Sequence, residues 1–172
     1  MMLRALALTL LMVAAFLFTG CLGYQIGPAK PAVLAHVNSL AVPIFGNDTL
    51  EPHVEALVSG IVIKQIQQDG SYQIRNTDDA DAILEGTITS VTRRRSRSVR
   101  GNVDATAEFT LVLGVRYDLI DRITGHVLDT RSVQGTTNFF VGNDLQAQER
   151  QAVVLAGEDA AIRIAGYLSE GW

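Results

Sequence analysis

Val103-Asp104-Ala105-Thr106-Ala107-Glu108-Phe109-Thr110-Leu111-Val112-Leu113-Gly114-Val115-Arg116-Tyr117-Asp118-Leu119 is the stretch that decides the fold. Its odd positions are apolar throughout, whereas Asp104, Thr106, Glu108, Thr110, Arg116 and Asp118 lie on the opposite face. Side chains of an extended strand alternate between faces, so this pattern predicts one half-buried strand of about seventeen residues, against a usual length of about six. A sheet that long must protrude past an ordinary helix layer.

The elements on either side extend the sheet. Asp121 to Gly125 form a turn, and a further strand runs from Val127-Leu128 through Thr130, Val133 and Thr136 to Phe139-Phe140. On the other side, Gly101-Asn102 marks a turn. Before it Ala82, Leu84, Gly86 and Ile88 alternate with Glu85, Thr87 and Thr89. The three strands after Asp81 therefore form a meander. Carried on in one register, Arg93, Arg95 and Arg97 share the polar face with Thr87 and Thr89, and Arg94 lies opposite. Guanidiniums at alternate positions form a ladder about 6.5–7 Å apart.

Helical spacing appears twice. Val54, Leu57, Val58, Ile61, Val62 and Ile66 recur at three- and four-residue intervals and stop at Asp69-Gly70. Asn47, Asp48 and Thr49 offer N-cap oxygens to this helix, and Pro52 suits its first turn. The last helix carries Leu145, Ala152, Ala156, Ala160, Ile164 and Leu168 on one face, with Asn143 as N-cap and Gln146 completing a capping box. Between Ser39 and Phe45 a nearly continuous apolar run reads as a buried strand, with Pro43 suited to its edge or end. Tyr72 to Arg75 reads as another short strand. The order strand, helix, strands, helix predicts an α+β fold, a two-layer sandwich. Its sheet is mixed, mainly antiparallel and four-to-five-stranded, with two helices packed on one face.

The N-terminus reads as an address. Arg4 precedes an apolar run from Ala5 to Phe18, too short to span a membrane and suited to a secretory signal over residues 1–20. Phe18-Thr19-Gly20-Cys21 resembles a bacterial lipobox, whose cysteine is acylated and becomes the new N-terminus. The alternative is an ordinary secreted protein whose cleavage site abuts a buried cysteine. Cys21 is the only cysteine, so no internal disulfide is available. Leu22 stands where an aspartate would oppose sorting to the outer membrane. Residues 21–38, with Gly23, Gly27, Pro28 and Pro31 and no sustained periodicity, read as a lipidated tether, and 39–172 as a single domain.

The formal net charge is −4, and removing the leader with its Arg4 makes it more negative. Nucleic-acid binding is disfavoured, since such domains are normally basic. Only Lys30 and Lys64 among the 14 basic residues are lysines, while Arg93, Arg94, Arg95, Arg97 and Arg100 crowd into eight positions. Crowded guanidiniums repel one another unless an anion sits among them, and arginine is the preferred fork for phosphate and carboxylate. The alternative is a solvated strand tip paired with acids such as Glu108 and Asp104.

Catalysis finds no support. His36, His53 and His126 are far apart in sequence and lack metal-ligand spacing. Asp78, Asp79 and Asp81 lack the calcium-loop pattern, and no phosphate-binding glycine loop is present. No catalytic residue, metal ligand or cofactor is therefore expected, apart from covalent diacylglycerol and an N-acyl chain on Cys21. Asn47-Asp48-Thr49 fits a glycosylation sequon, which a bacterial lipoprotein signal makes a chance match.

Leu40-Ala41-Val42-Pro43-Ile44-Phe45-Gly46-Asn47-Asp48-Thr49-Leu50-Glu51-Pro52 resembles the N-terminal signature of the lipopolysaccharide (LPS)-assembly lipoprotein family LptE. Cys21-Leu22-Gly23-Tyr24 is similar to that family's mature start, Cys-Gly-Tyr, with one residue inserted. Ala80-Asp81-Ala82-Ile83-Leu84-Glu85-Gly86-Thr87 resembles that family's Ala-Asp-Ala-hydrophobic-Gly-Thr strand, and Thr124-Gly125 before Val127-Leu128 also fits. The resemblance implies a non-enzymatic lipoprotein, lipid-anchored on the periplasmic side of the outer membrane. It further implies a place inside an LptD-like β-barrel, whose assembly it supports while assisting LPS export. The arginine cluster would then meet LPS phosphates or Kdo carboxylates, or acidic residues of the barrel wall. The strand-Phe-x-Asn-x-Thr pattern also resembles periplasmic lipoproteins that activate cell-wall synthases or form the curli secretion pore.

Overall fold

The computed structural model describes residues 30–97, 108–140 and 144–171. Six strands and two α-helices follow in the order β1 Ser39–Ala41, β2 Gly46–Asn47, α1 Val54–Asp69, β3 Gln73–Ile74, β4 Ala82–Arg97, β5 Glu108–Asp121, β6 Val127–Phe140 and α2 Leu145–Glu170. The sheet runs β3-β1-β4-β5-β6, and β2 pairs with β4 farther along. It is therefore five strands across and mixed: β1 is parallel to β3 and β4, while β4, β5 and β6 form an antiparallel meander. Both helices cover one face, giving the expected two-layer α+β sandwich.

Between β1 and β2 the chain leaves the ladder at Val42–Phe45, where Pro43 has no N–H to donate. The Ser39–Phe45 run is thus a strand of three residues followed by a break. Phe45 remains buried, its ring lying over Gly86 so closely that a Cβ there would stand 2.6 Å from three ring atoms. That contact requires a glycine at 86.

The core is built from Leu84, Ile88, Leu111, Leu113, Val115, Tyr117 and Leu119 of the sheet, Val58, Val62 and Ile66 of α1, and Ala156, Ala160, Ile164 and Leu168 of α2. The small residues of α2 let it lie close to β6, where Gly135 offers no side chain. Gly70 and Gly171 end the two helices in the left-handed conformation that glycine adopts without strain.

Both helix starts differ from the expected ones. α1 begins at Val54 after His53, whose φ of 64° is left-handed, and it has no side-chain cap. The reason is that Asn47 spends its side chain bracing the preceding loop, a local hydrogen-bonding alternative to capping. For α2 the cap is Asp144, whose carboxylate accepts from the Ala147 N–H at 2.9 Å. Asn143, expected in that role, lies outside the described residues, and Gln146 is one position short of the N3 site a capping box needs.

The chain joins the domain at the end of the sheet where β4 begins. Lys30 donates to the Val37 carbonyl at 2.9 Å and lies 4.3 Å from the Tyr72 ring centroid, while Leu34 and Val37 are buried. Asn38 and Ser39 backbone N–H groups and the Ser39 hydroxyl donate to Asp81, each at 2.9 Å. The opposite end, where β4 finishes, is the arginine tip. β2 ends level with Ile88, whose carbonyl accepts from Asp48 N–H, and α1 starts after it, whereas Glu149 of α2 reaches as far as Arg93; among the described residues the start of α2 covers the sheet there. The described strands thus reach past one of the two helices.

Candidate functional site

One extra residue in β4 decides where the arginines point. Ile88 is opposite Val115 but Ser90 is opposite Gly114, so Thr89 is a bulge. Gly114 accommodates it: a Cβ there would stand 2.6 Å from Ser90 Oγ and 2.8 Å from Thr89 Oγ1. Before the bulge the even residues of β4 face the helices; after it the odd residues do. Arg93 is consequently opposite Leu111 and Arg95 opposite Phe109, on the helix side, whereas Arg94 is opposite Thr110 on the open face. The expected ladder of Arg93 and Arg95 beside Thr87 is therefore corrected: these two lie on the other face from Thr87. A second register shift, between Arg95 and Arg97, breaks the alternation again, and the backbone of Arg97 pairs with Glu108. Arg100 and Asp104 lie outside the described residues.

Arg93 is engaged. Its Nη1 donates to both carboxylate oxygens of Glu149, each at 3.0 Å, and its guanidinium lies 5.7 Å from the Phe109 ring centroid. Phe109 in turn stacks on Phe139 at 5.9 Å. The acid that meets Arg93 comes from α2, brought there because that helix begins at the tip. Arg94 and Arg95 are exposed, and among the described residues neither forms an ion pair.

At the same end of the sheet, between β6 and the first turns of α2, runs a groove of about 400 Å³ to whose lining none of the arginines contributes. Phe139, Phe140, Ala147, Ala152 and Leu155 give it a mainly apolar lining. Guanidiniums at the same end of the domain as an apolar groove suit an amphiphile with an anionic head. The open face of the sheet is polar by contrast, with Thr110 donating to Asn138 at 2.8 Å and Thr130 to Asp118 at 2.6 Å.

Four further titratable groups, Asp81, Asp121, Tyr72 and Tyr117, serve the fold. Asp81 is held below the usual carboxylate range, chiefly by the Asn38 N–H. Asp121 is lowered to about 2, chiefly by the Thr124 backbone N–H and hydroxyl, with His36 at 3.4 Å contributing. Tyr72 is pushed up to about 12 by burial and then by Asp69, and its hydroxyl donates to the Leu168 carbonyl at 2.6 Å. Tyr117, raised by burial and by Asp129, joins Asp129 and Arg131 in a chain that ends with Arg131 over the Tyr167 ring. Among the described residues no group of three potential ligands gathers around a metal position, and no helix is long and apolar enough to cross a membrane.

Sequence reasoning missed the bulge and Glu149. The signal for the bulge was present: Ile88 and Val91 are three apart within a strand, and Gly114 interrupts the facing one. Glu149 carries no local signal, since only the packing of α2 brings it to β4.

The sequence profile of LptE, described as lipopolysaccharide-assembly, matches residues 37–168. No curated protein matches the chain. Among solved structures, a PelC dodecamer from Paraburkholderia phytofirmans is similar at 21% identity, covering 83% of this chain and 95% of that one, with a TM-score of 0.54. A neuraminyllactose-binding hemagglutinin homolog from Helicobacter pylori is similar at 10% identity, covering 86% and 93%, with a TM-score of 0.55. The hypothetical protein CT253 from Chlamydia trachomatis shows 9% identity, coverage of 77% and 98%, and a TM-score of 0.55. At these identities the likeness is one of fold.

Proposed function

The chain belongs to the LptE family of lipopolysaccharide assembly, and from that premise we propose that it is a non-catalytic lipoprotein of the outer membrane. It binds an LptD-like β-barrel, supports the barrel's assembly and assists LPS transport to the cell surface. The observation that carries this reading is the family match itself, which runs through the folded domain from Val37 to Leu168. In this reading residues 1–20 are a signal peptide, and Cys21 carries diacylglycerol and an N-acyl chain. Residues 21–38 link that lipid, on the periplasmic side of the membrane, to the domain, with Leu34 and Val37 of the segment already in its core.

The tip supplies the contact with LPS. Arg94 and Arg95 offer guanidiniums to phosphate or carboxylate, Arg93 is positioned by Glu149, and Arg97 and Arg100 extend the same cationic segment. The apolar groove beside Phe139 and Leu155 suits acyl chains of the same molecule. Guanidiniums and an apolar groove together match both halves of LPS, which a simple anion site would not need.

The deciding experiment purifies the full lipidated chain from an envelope extract and identifies what accompanies it. Recovery of a large β-barrel protein is expected. Recovery of a cell-wall synthase, or of a homo-oligomer without a barrel, would replace this reading.

A further inference from the structure

Leu50 is fully exposed, at 101% of its reference area, more than any other large apolar residue described. This leucine sits on a heavily braced loop. Asn47 Oδ1 accepts from the Thr49 N–H at 2.9 Å and from the Thr49 hydroxyl at 2.7 Å. Its Nδ2 donates to the Glu51 carbonyl and to Glu55 Oε2, each at 2.8 Å. Glu51 N–H donates to Thr49 Oγ1 at 3.2 Å, and Asp48 N–H ties the loop to β4 through the Ile88 carbonyl at 3.0 Å. His53, in its left-handed conformation, closes the segment. Six hydrogen bonds thus hold five residues whose apolar member is fully exposed among the described residues.

Beside the loop lies a groove of about 360 Å³ between the starts of α1 and α2. Pro52, Val54, Leu57, Val153 and Val154 make it mainly apolar, and Glu51, His53 and Arg150 line it as well, with Arg150 on the α2 side. The knob and the groove are contiguous through Glu51 and Pro52. Asp48 and Glu51, both exposed, flank Leu50 with negative charge.

We propose that the Asn47–Glu51 loop is a preorganised docking knob that seats Leu50 in an apolar recess with a basic rim on the barrel protein, and that the adjoining groove receives an apolar side chain in return. This rests on the barrel-binding reading above. An anchor already fixed in its bound geometry loses little freedom on docking, which is what makes a single apolar side chain effective in an interface. The flanking carboxylates select the partner. They are repelled by an anionic lipid surface and attracted by a basic protein rim.

The test places a photoreactive phenylalanine at position 50 of the full lipidated chain and illuminates intact cells. In parallel, barrel recovery is measured for the unaltered chain, Leu50→Asp and Asn47→Ala. A covalent adduct with the barrel is expected, with recovery falling roughly tenfold or more for Leu50→Asp at an unchanged thermal midpoint. Asn47→Ala, which loosens the loop while keeping Leu50, should lose less. If the unaltered chain recovers the barrel while Leu50→Asp recovers as much and no adduct forms, the knob is wrong and the barrel reading stands. Adducts with phospholipid alone would assign Leu50 to the membrane and overturn the proposal. Failure of the unaltered chain to recover any barrel overturns both.

Discussion

Gly135 of β6 lies directly beneath Ala156 of α2, so that a Cβ at position 135 would overlap the Ala156 carbonyl oxygen and press on the Ala160 nitrogen at 2.7 Å. Backbone meets backbone there, and neither can rotate away. Gly135→Ala should lift the helix from the strand and destabilise the domain by about 1–3 kcal/mol or more, the range for overpacking. Chemical denaturation measures it. Gly114→Ala makes the informative contrast: its new Cβ meets two hydroxyl-bearing side chains that can turn aside, so the loss should be clearly smaller. Equal losses would refute this account of the α2 contact.

Arg93 and Glu149 are both substantially exposed, with 42% and 34% of their side-chain surface accessible. Their pair should contribute about 0.2–1 kcal/mol and weaken with salt. A double-mutant cycle with Arg93→Ala and Glu149→Ala reads the coupling. Coupling well above that range would mean that the pair is a structural clamp.

Arg94→Glu combined with Arg95→Glu should weaken binding of purified LPS and reduce its salt dependence, with fold and thermal midpoint retained. Neither guanidinium has an ion-pair partner to lose among the described residues. Unchanged LPS retention in this variant would remove the tip from the transport path and favour contact with the barrel wall.

Asp81 and Asp121 both have carboxyl pKa values below the ordinary one, because backbone N–H groups bind their charged forms. For a depressed carboxyl the stabilisation is complete above the unfolded value, about 4, and is lost as pH falls toward the folded value, about 2 for Asp121. Stability should therefore decline between about pH 4 and pH 2, and Asp121→Asn should flatten that decline while lowering stability at neutral pH. Thermal midpoints across the acid range test the direction. A decline just as steep in Asp121→Asn would show that other carboxylates govern it.

Tyr72 joins the segment after α1 to the end of α2 through its hydrogen bond to the Leu168 carbonyl. Tyr72→Phe keeps the ring and removes the donor, so it should cost about 0.5–1.5 kcal/mol and raise hydrogen exchange at Gly171 and its neighbours. No change in either would mean that water replaces the hydroxyl.

Much of this architecture is legible in the residues because burial is periodic. Phe109 to Leu119 could only be a strand with one wet face, and Val54 to Ile66 only a helix lying on something apolar. The α+β class follows from their order. What escapes is whatever depends on a single backbone step where side chains say little. Thr89 to Thr92 is polar or small on both faces apart from Val91, so an inserted residue leaves almost no trace in hydropathy while reversing Arg93, Arg94 and Arg95. Asn47 escapes for a related reason. Its side chain suits a helix cap and a loop brace equally well, and only tertiary placement of Glu55 and Ile88 decides between them.

The N-terminal segment docks where β4 begins, and the arginines stand where it ends. Eleven extended residues, Ala82 to Thr92, separate Asp81 from Arg93, a span of about 40 Å. Anything holding the chain by its N-terminal end therefore holds it by the far pole. The domain is a spar whose reach is set by the number of residues in β4. Shortening the three long strands by equal pairs of residues would preserve every facing and draw the cationic pole back by about 7 Å for each pair.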